Sequence, residues 1–371
     1  MYDVDIEQFW IDDELAHEEN CFSKKAPQVA LGIRMSDECV FAELGEEGDP
    51  WGYTPRERRI DLNKRYNDKA EKIVGKRLLR EDFPRSEETH PPIKDITEVF
   101  GCKHVMQGGT TWVKQSCSNP QELETILDKV DNMDIREFIL PKNWEEEKRR
   151  IFEVYGKKPS LWRHVRGPVT LATTIYGAEN LIFLIIDEPG LAERFSRTIS
   201  DVIYQMAAIM DQEAGYGPED KPSGFSFADD NCCLLTPEMY EFFGYPILKR
   251  IFDHWSPNPD DYRYQHSDSD MKHLLPILGR LNLTACNFGP TVLVDDIRKY
   301  MPKTRIDGCL APFTFMENDA EEIIAQVKRD CEAARNTRGL NLSTAGSINN
   351  GSLLTSMRVV MHAIQKYGRY V

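Results

Sequence analysis

No long apolar stretch runs through this 371-residue chain. The longest uninterrupted run, Leu181 to Ile186, is six residues, against the ~20 that a membrane helix needs, so no spanning helix is expected. The first twenty residues (MYDVDIEQFWIDDELAHEEN) have neither a basic start nor an apolar segment. No signal peptide is read there, and a cytoplasmic chain is the expectation. Positive charge is in short supply: 46 Lys and Arg against 61 Asp and Glu give a net charge of -15 and a pI near 5.1. That argues against nucleic acid and against an anionic membrane surface as partners, since both call for clustered cations. Nine cysteines are scattered without a CxxC, the pattern of reduced, mostly buried thiols. No GxGxxG follows a strand-like segment and no GxxxxGK[ST] occurs, so no nucleotide cofactor is expected. Internal repeats and low-complexity tracts are absent too.

What is present is a rhythm. Hydrophobic residues make up 41% of the chain and aromatics 10%, enough for a large core. From about residue 100 onward, short β-type segments alternate with longer amphipathic ones. Strand-like segments are Lys103–Met106, Ile135–Leu140, Leu161–Arg166, Gly224–Ala228, Tyr262–Gln265, Leu283–Cys286, Arg305–Asp307 and Leu340–Leu342. Helix starts are marked by Asn119-Pro120, Asn143 and Thr236-Pro237, an N-cap residue with Pro at the first helical position in two of the three. The last of these is expected to run through Phe252. A polar helix is read from about Pro55 to Lys76, with Thr54 as its cap. Seven or eight βα units predict an α/β (β/α)8 barrel rather than a doubly wound sheet. Residues 1–100 read as an N-terminal extension or cap packing on the barrel, and residues 101–371 as the barrel.

In such a barrel the chemistry sits where strands end and βα loops begin. Those positions carry Gln107, Arg166, Asp229, Asp230, His266, Asp268, Asn287, Cys309, Ser343 and Thr344. Adjacent carboxylates repel, which can raise the pKa of one and suit it to acid–base work. On a strand end the Asp229 and Asp230 side chains diverge, so one is expected at the barrel mouth and the other at a turn cap or in solvent. In an extended segment residues i and i+2 share a side, so His266 and Asp268 could point at one atom, and both are zinc-ligand types. The alternative for Asp268 is a cap on the helix starting near Met271. Cys309 could bind metal through its thiolate, or simply pack. Gln107-Gly108-Gly109 offers either a close backbone approach to a ligand or a tight turn. Arg166 could hold a substrate carboxylate or make a structural ion pair.

The segments RGPVTLATTIYG, FADDNCCLLTPEMYEFFGYPILKRIFD, YQHSDSD, NFGP, GCLAPF and STAGSINNGS occur in that order. Over residues 100–371 the chain resembles the uroporphyrinogen decarboxylase superfamily, which also holds zinc-dependent methyltransferases acting on corrinoid proteins. The resemblance implies a (β/α)8 barrel and a homodimer. The arginine-rich start of the decarboxylases has only Arg34 as a counterpart, and their late Leu-Gly-His-Gly motif aligns with Ser343–Ser347, where the His is absent. The methyltransferases' His-x-Cys becomes His266-x-Asp268, and Gly346 falls where their late Cys would be. Asp229 and Asp230 align with an acidic pair of methyltransferase-like members.

The expectation is therefore a methyltransferase-like enzyme moving a methyl group between a small organic substrate and a corrinoid carried by a partner protein. His266 and Asp268, with Cys309 as a further candidate ligand, would bind zinc. Asp229, Asp230 and His266 would be catalytic, while Arg166, Gln107, Asn287, Ser343 and Thr344 would contact substrate. The alternatives are decarboxylation of a polycarboxylate and a non-catalytic ligand-binding barrel.

Overall fold

The structure, a computed structural model, describes residues 2–107 and 110–370. Among these, nine strands follow in chain order: β1 (Ala30–Leu31), β2 (Lys103–Gln107), β3 (Thr110–Lys114), β4 (His164–Arg166), β5 (Phe225–Ala228), β6 (Arg263–Ser267), β7 (Ala285–Phe288), β8 (Arg305–Leu310) and β9 (Leu340–Thr344). The chain forms two compact units, residues 1–83 with 266–371, and residues 84–265.

In the first unit β7, β8 and β9 pair side by side and parallel, and β1 adds to β9 in the same direction. The segment before residue 100 thus contributes a strand, too short to announce itself in sequence. Parallel neighbours need a crossover, and helices Val294–Tyr300 and Ala320–Ala334 supply the two between β7 and β9. The second starts where the Asp319 side chain accepts the N–H groups of Glu321 and Glu322. It buries Ile323, Val327, Cys331 and Ala334, the i, i+4, i+8, i+11 stripe of a helix with one face on a core. Leu354–Tyr367 packs against it.

In the second unit β4 pairs parallel with β5, Arg166 opposite Ala228. Helices Pro168–Tyr176, Ala178–Asp187 and Pro189–Glu213 cross between them. Phe225, Phe227, Phe252 and Trp255 meet at ring-centroid distances of 5.2–5.7 Å, and all are buried. No single helix among the described residues is long and apolar enough to cross a membrane. The pair Pro168–Tyr176 and Ala178–Asp187 would pass such a test jointly, but bends by 102°.

Several expected elements differ. Ile135–Leu140 is not a strand but the helix Ile135–Ile139, started by Asp134, whose side chain accepts the Glu137 N–H. Its apolar residues lie at 135, 138 and 139, a helical spacing. Lys103–Gln107 is a strand, yet it pairs antiparallel with Thr110–Lys114 in a separate two-stranded ribbon. The helix expected from Thr236 to Phe252 breaks at Gly244 into Pro237–Phe243 and Tyr245–Trp255, the second carrying Pro246 in its first turn, where the missing N–H is tolerated. The polar helix runs Arg56–Val74, with Pro55 rather than Thr54 at its cap position.

The end of Pro189–Glu213 carries a charge hub. Glu213 is buried and accepts from Arg136 at 2.7 Å, Lys148 at 2.5 Å and the Trp144 indole at 2.8 Å. Burial pushes its pKa up, but these bonds outweigh that and hold it below the ordinary value. Breaking a buried ion pair typically costs ~3–5 kcal/mol. Glu213→Ala is expected at the low end, about 3 kcal/mol, because the cations it leaves reach solvent. Urea denaturation reads this directly, and a loss below ~1 kcal/mol would make the hub ornamental.

Candidate active site

In the first unit the site is built on Asn287, at the third position of β7. Its amide nitrogen donates to the carbonyl of Asp307 on β8 and to that of Thr344 on β9, the latter at 2.9 Å. Both partners are acceptors only, so the amide oxygen must face the other way. It accepts from the Gly346 N–H at 3.0 Å and from His266 Nδ1 at 2.9 Å. Asn287 is buried and uses both donors and both acceptor positions on the protein. It was expected to orient substrate; in the structure its amide clamps His266 Nδ1 and so sets the histidine tautomer.

With Nδ1 donating, a neutral His266 presents a lone pair at Nε2. That atom lies 3.1 Å from Asp268 Oδ1. Two lone pairs at this separation repel, so the pair calls for a second proton on the ring or for a cation shared by both atoms. Bonds of ~2.1 Å to zinc would place such donors about 3.4 Å apart in tetrahedral geometry and about 3.0 Å apart in octahedral geometry. The separation fits a nitrogen–oxygen ligand pair. The i, i+2 reading of His266 and Asp268 therefore holds geometrically. The cap reading does not: the short helix Lys272–Leu274 has Met271 at its cap position and no side-chain cap bond.

Asp268 occupies a glycine cradle. A Cβ at Gly346 would stand 2.3 Å from Asp268 Oδ1, and one at Gly289 2.6 Å from the Asp268 carbonyl. Gly346 also has φ +105, which side-chain-bearing residues rarely adopt. Asp268 and Gly346 are thus sterically coupled: the carboxylate takes the space that a side chain at 346 would need.

Ser343 and Thr344 are strand residues, not loop residues, because β9 runs further than expected. Both are buried, and their hydroxyls donate to backbone, Ser343 to the Thr344 carbonyl at 3.2 Å and Thr344 to the Gly346 carbonyl at 2.8 Å. Cys309 lies inside β8 and is 2% exposed. Burial drives its thiol well above the ordinary value, and Asp330 and Cys286 add to that. The Cys309 side chain lies in the buried part of β8.

In the second unit Asp229 follows β5 and is fully buried. Its Oδ1 accepts the Thr170 N–H at 2.8 Å, in the first turn of Pro168–Tyr176. The carboxylate thereby answers a donor that the helix start leaves unpaired. Its Oδ2 has no hydrogen-bond partner among the described residues, and neither has the buried Tyr240 hydroxyl. Burial raises the Asp229 pKa to about 6; the Thr170 hydrogen bonds pull against this and the neighbouring Asp230 charge adds to it. Asp230 is half-buried and opens the turn Asp230–Leu234. Gly167 is what lets Asp229 in: a Cβ there would stand 2.1 Å from the Asp229 Cβ. Gly167→Ala is expected to displace the carboxylate at a cost of about 2–3 kcal/mol. It should also move any pH inflection that Asp229 causes; an unchanged stability curve would contradict the contact.

Arg166, at the end of β4, is exposed and forms no ion pair among the described residues, so the structural-salt-bridge alternative does not hold. Gln107 ends the antiparallel ribbon rather than a strand of the parallel sheet. Its side chain, Gly108 and Gly109 lie outside the described residues. Sequence reasoning missed the clamp role of Asn287 and the glycine cradle, both built from residues far apart in the chain.

Parallel strands alternating with helices, with polar residues at the carboxyl ends of the strands, define a (β/α)8-type fold. The profile of the uroporphyrinogen decarboxylase (URO-D) family matches residues 98–367, and the chain belongs to that family. A solved methyltransferase from Methanosarcina mazei superposes with a TM-score of 0.55, at 14% identity, over 92% of this chain and 94% of that one; the likeness shows the fold. No curated protein matches.

Proposed function

We propose that the protein is a methyltransferase-like enzyme that moves a methyl group between a small organic substrate and a corrinoid held by a partner protein. The observation that carries this reading is His266 Nε2 set against Asp268 Oδ1 at 3.1 Å, with Nδ1 clamped by Asn287. The thiolate-rich zinc site of the related methyltransferases does not fit, because the two positions are Asp268 and Gly346. A harder nitrogen–oxygen site does fit. His266 and Asp268 would hold a zinc ion or a similar divalent cation, which when bound supplies a Lewis acid for an ether or hydroxyl oxygen. Asn287 keeps the Nε2 lone pair pointed outward, the usual duty of a residue behind a metal-bound histidine. Asp229, with its pKa raised towards neutrality, donates or accepts a proton. Arg166 holds an anionic group of the substrate. Nine free cysteines suit a reducing compartment, the cytoplasm, and a homodimer is part of the same reading.

The test is methyl transfer between a panel of O- and N-methyl compounds and free cobalamin, held as cob(I)alamin by a chemical reductant when it is the acceptor, followed by the absorbance change on forming or consuming methylcobalamin. Turnover by the wild type, reduced by at least about a hundredfold in His266→Ala, is the expected result. Transfer in neither direction, with carbon dioxide released from a polycarboxylate instead, would favour the decarboxylase reading. Against that reading stand the residues at the ends of β7 and β9 (Asn287, Ser343, Thr344), none of which carries positive charge.

A further inference from the structure

A cavity of about 540 Å³ opens in the second unit, lined by the segment around Pro84–Ile93, by Trp144 and Met210, and by the approach to β4. Its size is that of a small-molecule site, roughly 300–1,000 Å³. None of its residues belongs to the site described above. Two indoles border it, Trp144 only 3% exposed and Trp162 half-buried, so that Trp162 is its aromatic wall. Trp144 is locked in place by its bond to Glu213, and Trp162 packs edge-on against Phe225 at 6.4 Å. An aromatic wall held this way receives a flat ring without first paying an ordering entropy.

Two polar groups in the lining are uncommitted. The His90 ring stands 5.8 Å from Trp144, and its Nε2 is shut off from solvent with no hydrogen-bond partner among the described residues. Buried ring nitrogens are rarely left so. The Lys158 ammonium lies 5.1 Å over the Tyr216 ring and has no carboxylate partner among the described residues. Lys157, by contrast, is neutralised by Glu88 at 2.8 Å. The lining thus keeps one net positive charge in a chain whose net charge is -15.

We propose that this cavity binds a flat aromatic carboxylate, with the ring against Trp162 and the carboxylate on Lys158. One ammonium without a carboxylate partner matches the single charge of a carboxylate; a phosphate dianion would leave charge unmet. Burial, and the nearby Lys148 charge, lower the His90 pKa, so the imidazole does not add a second positive charge beside Lys158.

Calorimetry with 2-naphthoate and its neutral analogue 2-naphthamide on the full chain tests this. Naphthoate is expected to bind at least about tenfold more tightly than naphthamide, the worth of a hydrogen-bonded charge. Lys158→Met should abolish that difference, and Trp162→Ala should weaken both ligands. His266→Ala should leave naphthoate binding intact, which separates this site from the proposed methyl-transfer chemistry. If Trp162→Ala fails to fold, the Lys158→Met comparison decides alone, since it alters only the end of a surface side chain. No binding of naphthoate at millimolar concentration, or an affinity unchanged in Lys158→Met, would overturn the proposal.

Discussion

Asp229→Asn is expected to make the protein more stable and less active at pH 7. The folded-state pKa of Asp229 is raised from 3.8 to about 6, so folding favours the protonated form. The stability that proton contributes is fully present below pH 3.8 and is lost as pH rises through 6. A shift of that size corresponds to about 3 kcal/mol at most, at 1.36 kcal/mol per unit. Asparagine keeps the acceptor that faces the Thr170 N–H but does not titrate. The variant should therefore match the wild type near pH 4 and melt several degrees higher at pH 7.5. Proton transfer by a placed side chain contributes ~10²–10⁴ in rate, so turnover should fall by at least about a hundredfold, and an inflection near pH 6 in the wild-type rate should vanish. A variant with wild-type activity would reduce Asp229 to a helix cap; one equally stable at pH 7.5 would show that burial does not strain the charge.

The second large effect is expected at His266 and Asn287, where two variants should separate binding from architecture. His266→Ala removes one ligand atom from a partly exposed side chain, so stability should change little while stoichiometric zinc is lost. Asn287→Ala strands the Asp307 and Thr344 carbonyls, the Gly346 N–H and His266 Nδ1 together. A buried polar group left unsatisfied costs roughly 1–3 kcal/mol, so several kcal/mol should be lost. Zinc affinity should also drop about 10–100-fold, as when a supporting residue is removed. Titration calorimetry with zinc and urea denaturation read the two effects separately. Wild-type zinc affinity in His266→Ala would remove the metal from the scheme.

The alternation of strands and helices was legible because each strand is short and apolar and several helices announce themselves with Asn-Pro or Thr-Pro. Asn119 and Thr236 do cap as expected, through the N–H groups of Glu122 and Met239. The misreadings have local causes. Ile135–Ile139 is apolar enough for a strand, and its i, i+3, i+4 spacing was available but spans a single turn. Thr110–Lys114 sits after Gly108-Gly109 in a pattern that signals a hairpin; reading Lys103–Met106 as a strand of the parallel sheet placed Gln107 at the end of a parallel strand, whereas it ends an antiparallel ribbon. β1 pairs through only two residues, and no periodicity exists over two residues.

For the site, His266 and Asp268 were legible because a two-residue period is a local property. Asn287 was visible as a polar residue in an apolar strand, but its clamp role depends on residues 20 and 57 positions away. The burial of Asp229 depends on a glycine 62 positions earlier, read from the numbering of Gly167 and Asp229. Sequence shows which residues are chemically capable; which atoms are left without a partner is decided only by packing.

The bend at Gly177 has a consequence for how residues 168–187 are handled before they fold. Read end to end, those two helices form one apolar segment of nearly bilayer length, carrying few charges. Gly177 holds φ +95, a conformation closed to most side chains, and turns the chain through 102°. Each half is then too short to span a bilayer, and the apolar residues Leu171, Ile175, Leu181 and Leu184 are buried within the protein. A single residue without a side chain thereby gives this stretch a route into a protein core that a straight helix of the same composition would lack.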